Sequence, residues 1–422
     1  MSDYKLGLEY ALEQDQNDIL KPYRNQFHIP KDEHGNDLIY MTGNSLGLQP
    51  KSTKKYVNQE LEDWANLGVE GHTHGKTPWL AYHEFLTESM AKVVGAKPIE
   101  VIVMNTLTAN LHFMMVSFYK PTKKRYKILI ESDAFPSDKY AVESQLRHHG
   151  FDDKDGLVLW KPREGESILN YEDLENLLET QGDDIALIMI GGVNYYTGQF
   201  LDLKRITKLG HKYGCKVGFD CAHGAGNVAL NLHASGADFA VWCTYKYLNS
   251  GPGSLAGCFV HERHAHNKDL NRFTGWWSHN KKTRFNMRGD FDQLPGAEGW
   301  QLSNPPILSM AAIKASLDMF HEVGIEKLVK KSKKLTGYFE FLINQLGKET
   351  ISIITPKIPN ERGCQLSIQV KNADKSLHNK LTESGVISDW REPDVIRCAP
   401  VPLYNSFEDV YRLVENLKVI LN

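Results

Sequence analysis

Between Tyr126 and Lys246 the chain alternates short apolar runs with helix-like stretches, and nothing else in it constrains the fold so tightly. The runs Tyr126-Lys-Ile-Leu-Ile130, Leu157-Val-Leu-Trp160, Ile185-Ala-Leu-Ile-Met-Ile190 and Lys216-Val-Gly-Phe-Asp220 are almost continuously apolar. Strands of that kind are buried on both faces, as in a parallel sheet covered by helices. Between them, Phe135-Pro-Ser-Asp138 opens a helical stretch that runs through His148. Asn170 stands where a cap is expected ahead of Leu174, Leu177 and Leu178. Leu203, Ile206, Leu209 and Tyr213 recur at helical spacing and stop at Gly214. The spacing predicts an α/β fold with a mainly parallel sheet. Ligands of such sheets gather at the carboxyl ends of the strands, where Phe135, Gly191, Asp220 and Lys246 all fall.

The flanks differ in character. A charged, helix-prone segment runs to about Tyr23, followed by an extended piece, Leu38–Met41, and a glycine turn, Thr42–Gly47. A helix is predicted from Ser52 to about Leu67, with Val57, Leu61 and Trp64 along one stripe. Gly71–Trp79 has the composition of a loop, and another helix is predicted over Tyr82–Val94. Beyond Ser309 come a long helical region from Leu308 to Leu346, a strand at Gln365–Val370, and short strands around Val386–Ser388 and Val395–Arg397. The last helix starts after Ser406, which with Asp409 resembles a capping box. The expected division is an N-terminal segment (1–65) packed with a small α+β C-terminal domain (311–422), and a large domain between them (66–310).

A length of 422 residues accommodates two domains. The net charge of -3 leaves no basic footprint for nucleic acid and no polybasic membrane patch. The six cysteines form no C-x-x-C pair, as expected of reduced core residues. No apolar run approaches the ~20 residues of a membrane span, and Met1-Ser-Asp-Tyr-Lys5 has no secretory apolar region. A cytoplasmic location is the expectation.

Lys246 follows the apolar run Val241-Trp-Cys-Thr-Tyr245 and precedes the glycine-rich Gly251–Gly257. Taken alone, such a lysine reaches solvent along its alkyl stem; a Schiff base to a carbonyl cofactor is the alternative. Asp220, one strand back, could cap a helix, ligate a metal or pair with a cation. An aspartate and a lysine on adjacent strand ends are what pyridoxal phosphate requires, one for the pyridine nitrogen and one for the aldehyde. Met104-Asn-Thr-Leu-Thr-Ala-Asn110 introduces a helix whose first amides and hydroxyls suit a phosphate. Tyr245 offers a phenol and Phe135 a ring to stack. Arg397 ends a short apolar strand, and its planar fork suits a substrate carboxylate or a surface ion pair. Gly224-Ala-Gly-Asn-Val-Ala229 matches a dinucleotide fingerprint, but four residues separate it from its strand and no acidic partner follows. Neither His72 with His74 nor His261, His264 and His266 has a complete set of metal-ligand neighbours; both groups read as solvated, and no metal is expected.

Taken together, these stretches resemble the kynureninase family along nearly the whole chain. The resemblance is carried by Gly43-Asn-Ser-Leu-Gly-Leu-Gln-Pro50, Ala134-Phe-Pro-Ser-Asp138, Val217-Gly-Phe-Asp-Cys-Ala-His-Gly-Ala-Gly-Asn227, Tyr245-Lys-Tyr-Leu-Asn249, Ser303-Asn-Pro-Pro-Ile-Leu308 and Ile396-Arg-Cys-Ala-Pro-Val-Pro-Leu-Tyr-Asn-Ser406. It implies a fold-type I, class V aminotransferase-like enzyme with a seven-stranded sheet and pyridoxal 5'-phosphate as cofactor. The implied activity is hydrolysis of kynurenine or 3-hydroxykynurenine to alanine and the matching anthranilate, in tryptophan catabolism and NAD synthesis. Lys246 then carries the cofactor, Asp220 pairs with its ring nitrogen, and Phe135 stacks on the ring beside Pro136, Ser137 and Asp138. Leu107 and Thr108 match the phosphate position, and His223, Tyr245, Trp276 and Asn304 match further cofactor contacts. Lys246 and Tyr245 handle protons. Arg397 matches the α-carboxylate anchor, and Ser45, His72, Ser303 and Asn304 the substrate rim. His72, Ser303 and Asn304 resemble the eukaryotic-type set and lean toward the hydroxylated substrate. Gly191 departs from the animal-type pattern, in which a serine is expected. A homodimer with sites at the subunit interface is also implied. The competing readings are a cysteine desulfurase, a nicotinamide-dependent dehydrogenase and an inactive cofactor-binding scaffold.

Overall fold

The computed structural model describes residues 4–287, 289–347 and 350–421. In chain order the strands are β1 (Ile39–Tyr40), β2 (Val101–Met104), β3 (Lys127–Glu131), β4 (Leu157–Trp160), β5 (Ile185–Gly191), β6 (Lys216–Asp220) and β7 (Phe239–Cys243). They continue as β8 (Ala256–Val260), β9 (Ile351–Ile353), β10 (Leu366–Val370), β11 (Val386–Ile387), β12 (Asp389–Arg391) and β13 (Val395–Cys398). Seven form the main sheet in the order β2-β8-β7-β6-β5-β3-β4. All its pairs are parallel except those of β8, which runs antiparallel to β2 and β7.

The alternation along each strand explains why helices cover both faces. Leu129, Ile188, Ile190, Val217, Phe219, Ala240 and Trp242 enter one core cluster. Their chain neighbours Ile128, Ile130, Leu187, Met189, Phe239 and Val241 enter another on the opposite face. A strand buried on both sides reads as an unbroken apolar run, the signal seen in the sequence. After β4 the chain returns to place β5 on the other side of β3, so the strand order reverses there. A crevice opens at such a switch point beyond the strand ends.

A second sheet, β12-β13-β10-β9, is antiparallel and packs with the helices Ile325–Ile343, Lys375–Glu383 and Phe407–Leu421 around a third cluster. The last helix begins with a reciprocal box: Asp409 N donates to Ser406 Oγ at 3.0 Å, and Ser406 N donates to an Asp409 carboxylate oxygen at 3.1 Å. The N-terminal helix Leu8–Gln16 lies against it, and Asp15 accepts the amides of Phe407 and Glu408 at 2.7 and 3.0 Å. Residues 310 and 311, the expected domain boundary, fall inside the helix Ile307–Val323.

Several expectations are corrected. β2 and β8 are strands that sequence reading missed: β2 is four residues long and runs directly into a helical stretch, and β8 is masked by its glycine-rich approach. β11 pairs with β1 rather than with the small sheet, and β9 and β12 were not foreseen. Gly71–His74 forms one short helical turn within the expected loop. Leu61 and Trp64, expected to face a core, are 41% and 63% exposed.

Candidate active site

The loop after β7 is held from several sides. Thr244 Oγ1 donates to Leu255 O at 2.6 Å, Ser250 N to Thr244 O at 3.2 Å, and Asn249 N to Lys246 O at 3.0 Å. Tyr247 and Leu248 are buried beneath it. Asn249 takes φ 54°, a left-handed conformation that asparagine tolerates better than most residues. From above, Gly47 N donates to Tyr245 O at 2.8 Å. A Cβ at Gly47 would lie 2.3 Å from Lys246 O, so only glycine lets the Thr42–Gly47 turn close on this loop.

Lys246 thereby points into a cavity at the carboxyl ends of β3, β5, β6 and β7, lined by Leu107, Thr108, Glu131, Phe135, Ser137, Asp138, Gly191, Tyr195, Asp220, His223 and Tyr245 among others. A hollow beside Tyr171, Asp202, Arg205 and Asn360 is larger, about 530 Å³ against about 170 Å³. Volume does not decide between them; convergence of chemistry does. The helices Leu107–Phe118 and Pro136–His148 both begin at the cavity, the second with proline in its first turn. Thr108 Oγ1 and Ser137 Oγ join these two starts at 3.0 Å. Asn105, at φ 51°, makes the turn from β2, and Asn110 Nδ2 secures it by donating to Met104 O at 2.9 Å.

The electrostatics set three buried acid groups beside one lysine. Asp138, Asp220 and Glu131 are all buried. Burial raises the Asp138 carboxyl well above its usual range, helped by Asp220 and Glu131 and opposed by Lys246. Burial also raises Asp220, but the amide of Ala222 at 2.6 Å and Lys246 oppose the shift. Of the two, Asp138 is raised the more strongly. Glu131 is pushed up to about 7 by burial, although it accepts Gly191 N on both oxygens at 3.0 and 3.2 Å. Lys246 Nζ lies 3.1 Å from His223 Nε2. Burial, then Lys246, Arg397 and Arg391, hold His223 well below its ordinary pKa. The imidazole is thereby held neutral, and its Nδ1 and Asp138 Oδ1 lack partners among the described residues.

These observations test the fit of pyridoxal phosphate. The site has an amine for the aldehyde and a carboxylate without its own cation for the pyridinium. It also has two helix starts bearing hydroxyls for the phosphate and a ring, Phe135, with Lys246 Nζ 5.8 Å from its centroid. The residues present fit the group.

Arg397 is fully buried on β13. It donates to Tyr195 O at 2.6 Å and to the Asp389 carboxylate. The Tyr195 ring stands edge-on to Phe135 at 5.3 Å, which links the arginine to the cavity. Burial lowers its pKa, and Asp389 opposes that shift.

Not every expected residue converges here. Pro136 starts its helix beside the cavity without lining it. Ser45 is exposed on the Thr42–Gly47 turn. Trp276 is 40% exposed and belongs to a separate hollow with His279, Arg284 and Phe291, where its indole donates to Arg284 O at 3.1 Å. Ser303 and Asn304 are exposed. His72 Nδ1 meets Val69 O at 2.9 Å, and the ring stands edge-on to Trp79. None of these last four lines the Lys246 cavity. Sequence reading also missed Glu131 and Tyr195. A carboxylate ending an apolar strand was the available signal for Glu131; no local pattern marks Tyr195.

Two decoys are resolved by the geometry. Gly224–Ala229 passes through turns, and the only helix that follows closely is the four-residue Leu232–Ser235. It lacks the strand–glycine–helix cradle of a dinucleotide site. The histidine group at 261–266 is not uniformly solvated: His264 is buried, with Nε2 2.8 Å from an Asp238 oxygen.

Comparison with known proteins bears on the family and the fold. Residues 328–417 match the family model described as kynureninase C-terminal domain. A protein of Myxococcus xanthus named kynureninase is 57% identical over 409 residues, covering 97% of this chain and 96% of the relative. One from Nematostella vectensis with the same name is 47% identical over 431 residues, covering 97% and 93%. Among solved structures, a C-DES mutant with glycine covalently linked to its PLP cofactor superposes with TM-score 0.78 at 16% identity, covering 94% of this chain and 98% of that one. The cysteine desulfurase CsdA of Escherichia coli gives 0.76 at 16%, covering 95% and 98%. At such identities the structural likeness establishes the shared fold.

Proposed function

The chain belongs to the kynureninase family, and from that premise we propose that the Lys246 cavity is where kynurenine is cleaved. The activity is that of a hydrolase acting on a carbon–carbon bond, with pyridoxal phosphate as cofactor. Water and kynurenine yield anthranilate and alanine. The observation that carries the site assignment is the meeting of Lys246, Asp220 and His223 at adjacent strand ends, with Arg397 one tyrosine away.

The bound cofactor supplies an electron sink at the substrate's α-carbon and a carbonyl through which it is tethered. The chain's own residues do the rest. Leu107, Thr108 and Ser137 would hold the phosphate at two helix starts, Pro136 sets the second of these, and Phe135 would pack against the ring. Asp220 would hold a proton on the ring nitrogen, with Asp138 beside it. Lys246 Nζ removes the α-proton and returns protons to the product carbon, with the Tyr245 hydroxyl as the second donor. His223 Nε2 steers the amine when it is free. Arg397 holds the α-carboxylate, and Ser45, beside the Lys246 loop, closes over the substrate. At Gly191 no hydroxyl is present; the Glu131 carboxylate fills that space, since a Cβ there would lie 2.8 Å from Glu131 Oε1.

His72, Trp276, Ser303 and Asn304 complete the site from a second copy of the chain. The exposure of Trp276, and of Leu61 and Trp64 with Val69 (75%), supports such an interface. The division at 1–65, 66–310 and 311–422 accompanies this reading, as do a place in tryptophan catabolism and NAD synthesis and a cytoplasmic location. Among the described residues no helix is long and apolar enough to cross a membrane. The desulfurase alternative needs an accessible cysteine nucleophile, but all six cysteines are buried, and burial pushes the Cys364 thiol up to about 12. Incubating the purified holoenzyme with kynurenine should give anthranilate and alanine in equal amounts. The kcat/KM for 3-hydroxykynurenine should exceed that for kynurenine. Sulfide release from cysteine, without kynurenine cleavage, would favour the alternative.

A further inference from the structure

Arg397, packed behind the Tyr195 ring of the cavity wall, is not a lone cation. Asp389 lies directly opposite it across the β12–β13 pair, and Arg391 is two residues further along β12. Cross-strand partners and residues two apart share one face of a sheet, so the three side chains meet there. Both arginines reach the same Asp389 oxygen, Arg391 at 3.1 Å. Their guanidinium carbons stand 5.9 and 5.8 Å from the centroid of the Tyr195 ring, Arg391 and Arg397 respectively, and that ring lines the cavity. In both arginines Nε is buried and has no hydrogen-bond acceptor among the described residues.

The charge count gives this arrangement a consequence. Arg397 paired with Asp389 is neutral, and a substrate carboxylate gains little from approaching a neutral pair. Two guanidiniums sharing one carboxylate leave one net positive charge. We propose that Arg391 is a second carboxylate-binding cation of the substrate site and that Asp389 is the positioning residue that yokes it to Arg397. Asp389 fixes both planar forks, so less side-chain freedom is lost when the substrate binds. Arg391 is 37% exposed in its side chain against 1% for Arg397, so of the two it is the one open to solvent. The inference rests on Arg397 being the carboxylate anchor.

The test uses the holoenzyme with kynurenine and with its carboxamide, which lacks the negative charge. Arg391→Gln should raise KM for kynurenine about tenfold while kcat stays within about twofold. Against the carboxamide, the variant and the unaltered enzyme should have equal KM. Arg391→Lys, which keeps the charge, should recover part of the loss, and Asp389→Asn should raise KM with the cofactor absorption band unchanged. A normal KM in Arg391→Gln, beside a raised one in Arg397→Gln, overturns the inference and leaves the anchor standing. A normal KM in Arg397→Gln overturns the anchor reading and the inference with it. An equal rise against kynurenine and carboxamide in Arg391→Gln marks a merely structural role and also overturns it.

Discussion

The two ends of β6 and β7 bury carboxylates in opposite ways. At the amino ends, Asp238 is met by His211 at 2.9 Å, His264 at 2.8 Å, Arg263 at 2.9 Å and Lys216 at 3.4 Å, and it accepts Val217 N at 2.9 Å. Those partners outweigh its burial and hold its pKa far below the ordinary carboxylate range. At the carboxyl end, Asp220 has Lys246 as its opposing cation, shared with the neighbouring Asp138, Glu131 closes the same cavity from β3, and burial raises all three. A buried charge with partners stabilises a fold; one with few partners costs stability and marks a candidate for binding or catalysis. On the function proposed above, the same strands carry a structural end and a chemical end.

The largest effect that could break this contrast is at Lys246. Lys246→Ala should remove the absorption band of the bound cofactor and lower kcat by about a thousandfold or more. Thermal unfolding of the cofactor-free variant should change little. Next comes a matched pair. Asp220→Asn should lower kcat by about a hundredfold or more without loss of stability in the cofactor-free protein. Asp238→Asn should cost about 3 kcal/mol in urea unfolding, because its cations lose their counter-charge. Activity per folded molecule should be retained. A depressed carboxylate contributes stability above its unfolded pKa, so the unaltered protein should lose that contribution as pH falls below about 3.8, and Asp238→Asn should not.

A third test concerns Glu131, whose native state binds a proton more tightly than the unfolded chain. The cofactor-free protein should lose up to about 3 kcal/mol as pH rises from the ordinary 4.5 to about 7, and Glu131→Gln should flatten that slope in urea titrations at several pH values. The smallest effect is at Lys216, which is 43% exposed and 3.4 Å from Asp238. Lys216→Ala should change stability by less than about 1 kcal/mol; a larger loss would make the exposed lysine an essential member of the cluster.

How much of this was legible in the sequence follows from the same contrast. The strand ends bearing Asp220 and Lys246 were visible because two-sided burial writes unbroken apolar runs. Phe135, Thr108 and Arg397 could be placed by the turns beside them. β8 was not visible, since an antiparallel strand behind a glycine run has no periodicity of its own. The Asp238 cluster was also hidden, because it gathers residues from 211 to 264 that meet only once the sheet forms, and His264 read as solvated. Asp389 and Arg391 looked like ordinary surface charges; only the register of β12 on β13 turns them toward Arg397.

The central claim, that the Lys246 end of the sheet is the chemical end, has a direct test that does not depend on turnover. The protein loaded with pyridoxal phosphate is reduced with borohydride, digested and mapped by mass spectrometry. The pyridoxyl group should be found on Lys246 alone. A group on another lysine, with Lys246 unmodified, would contradict the account.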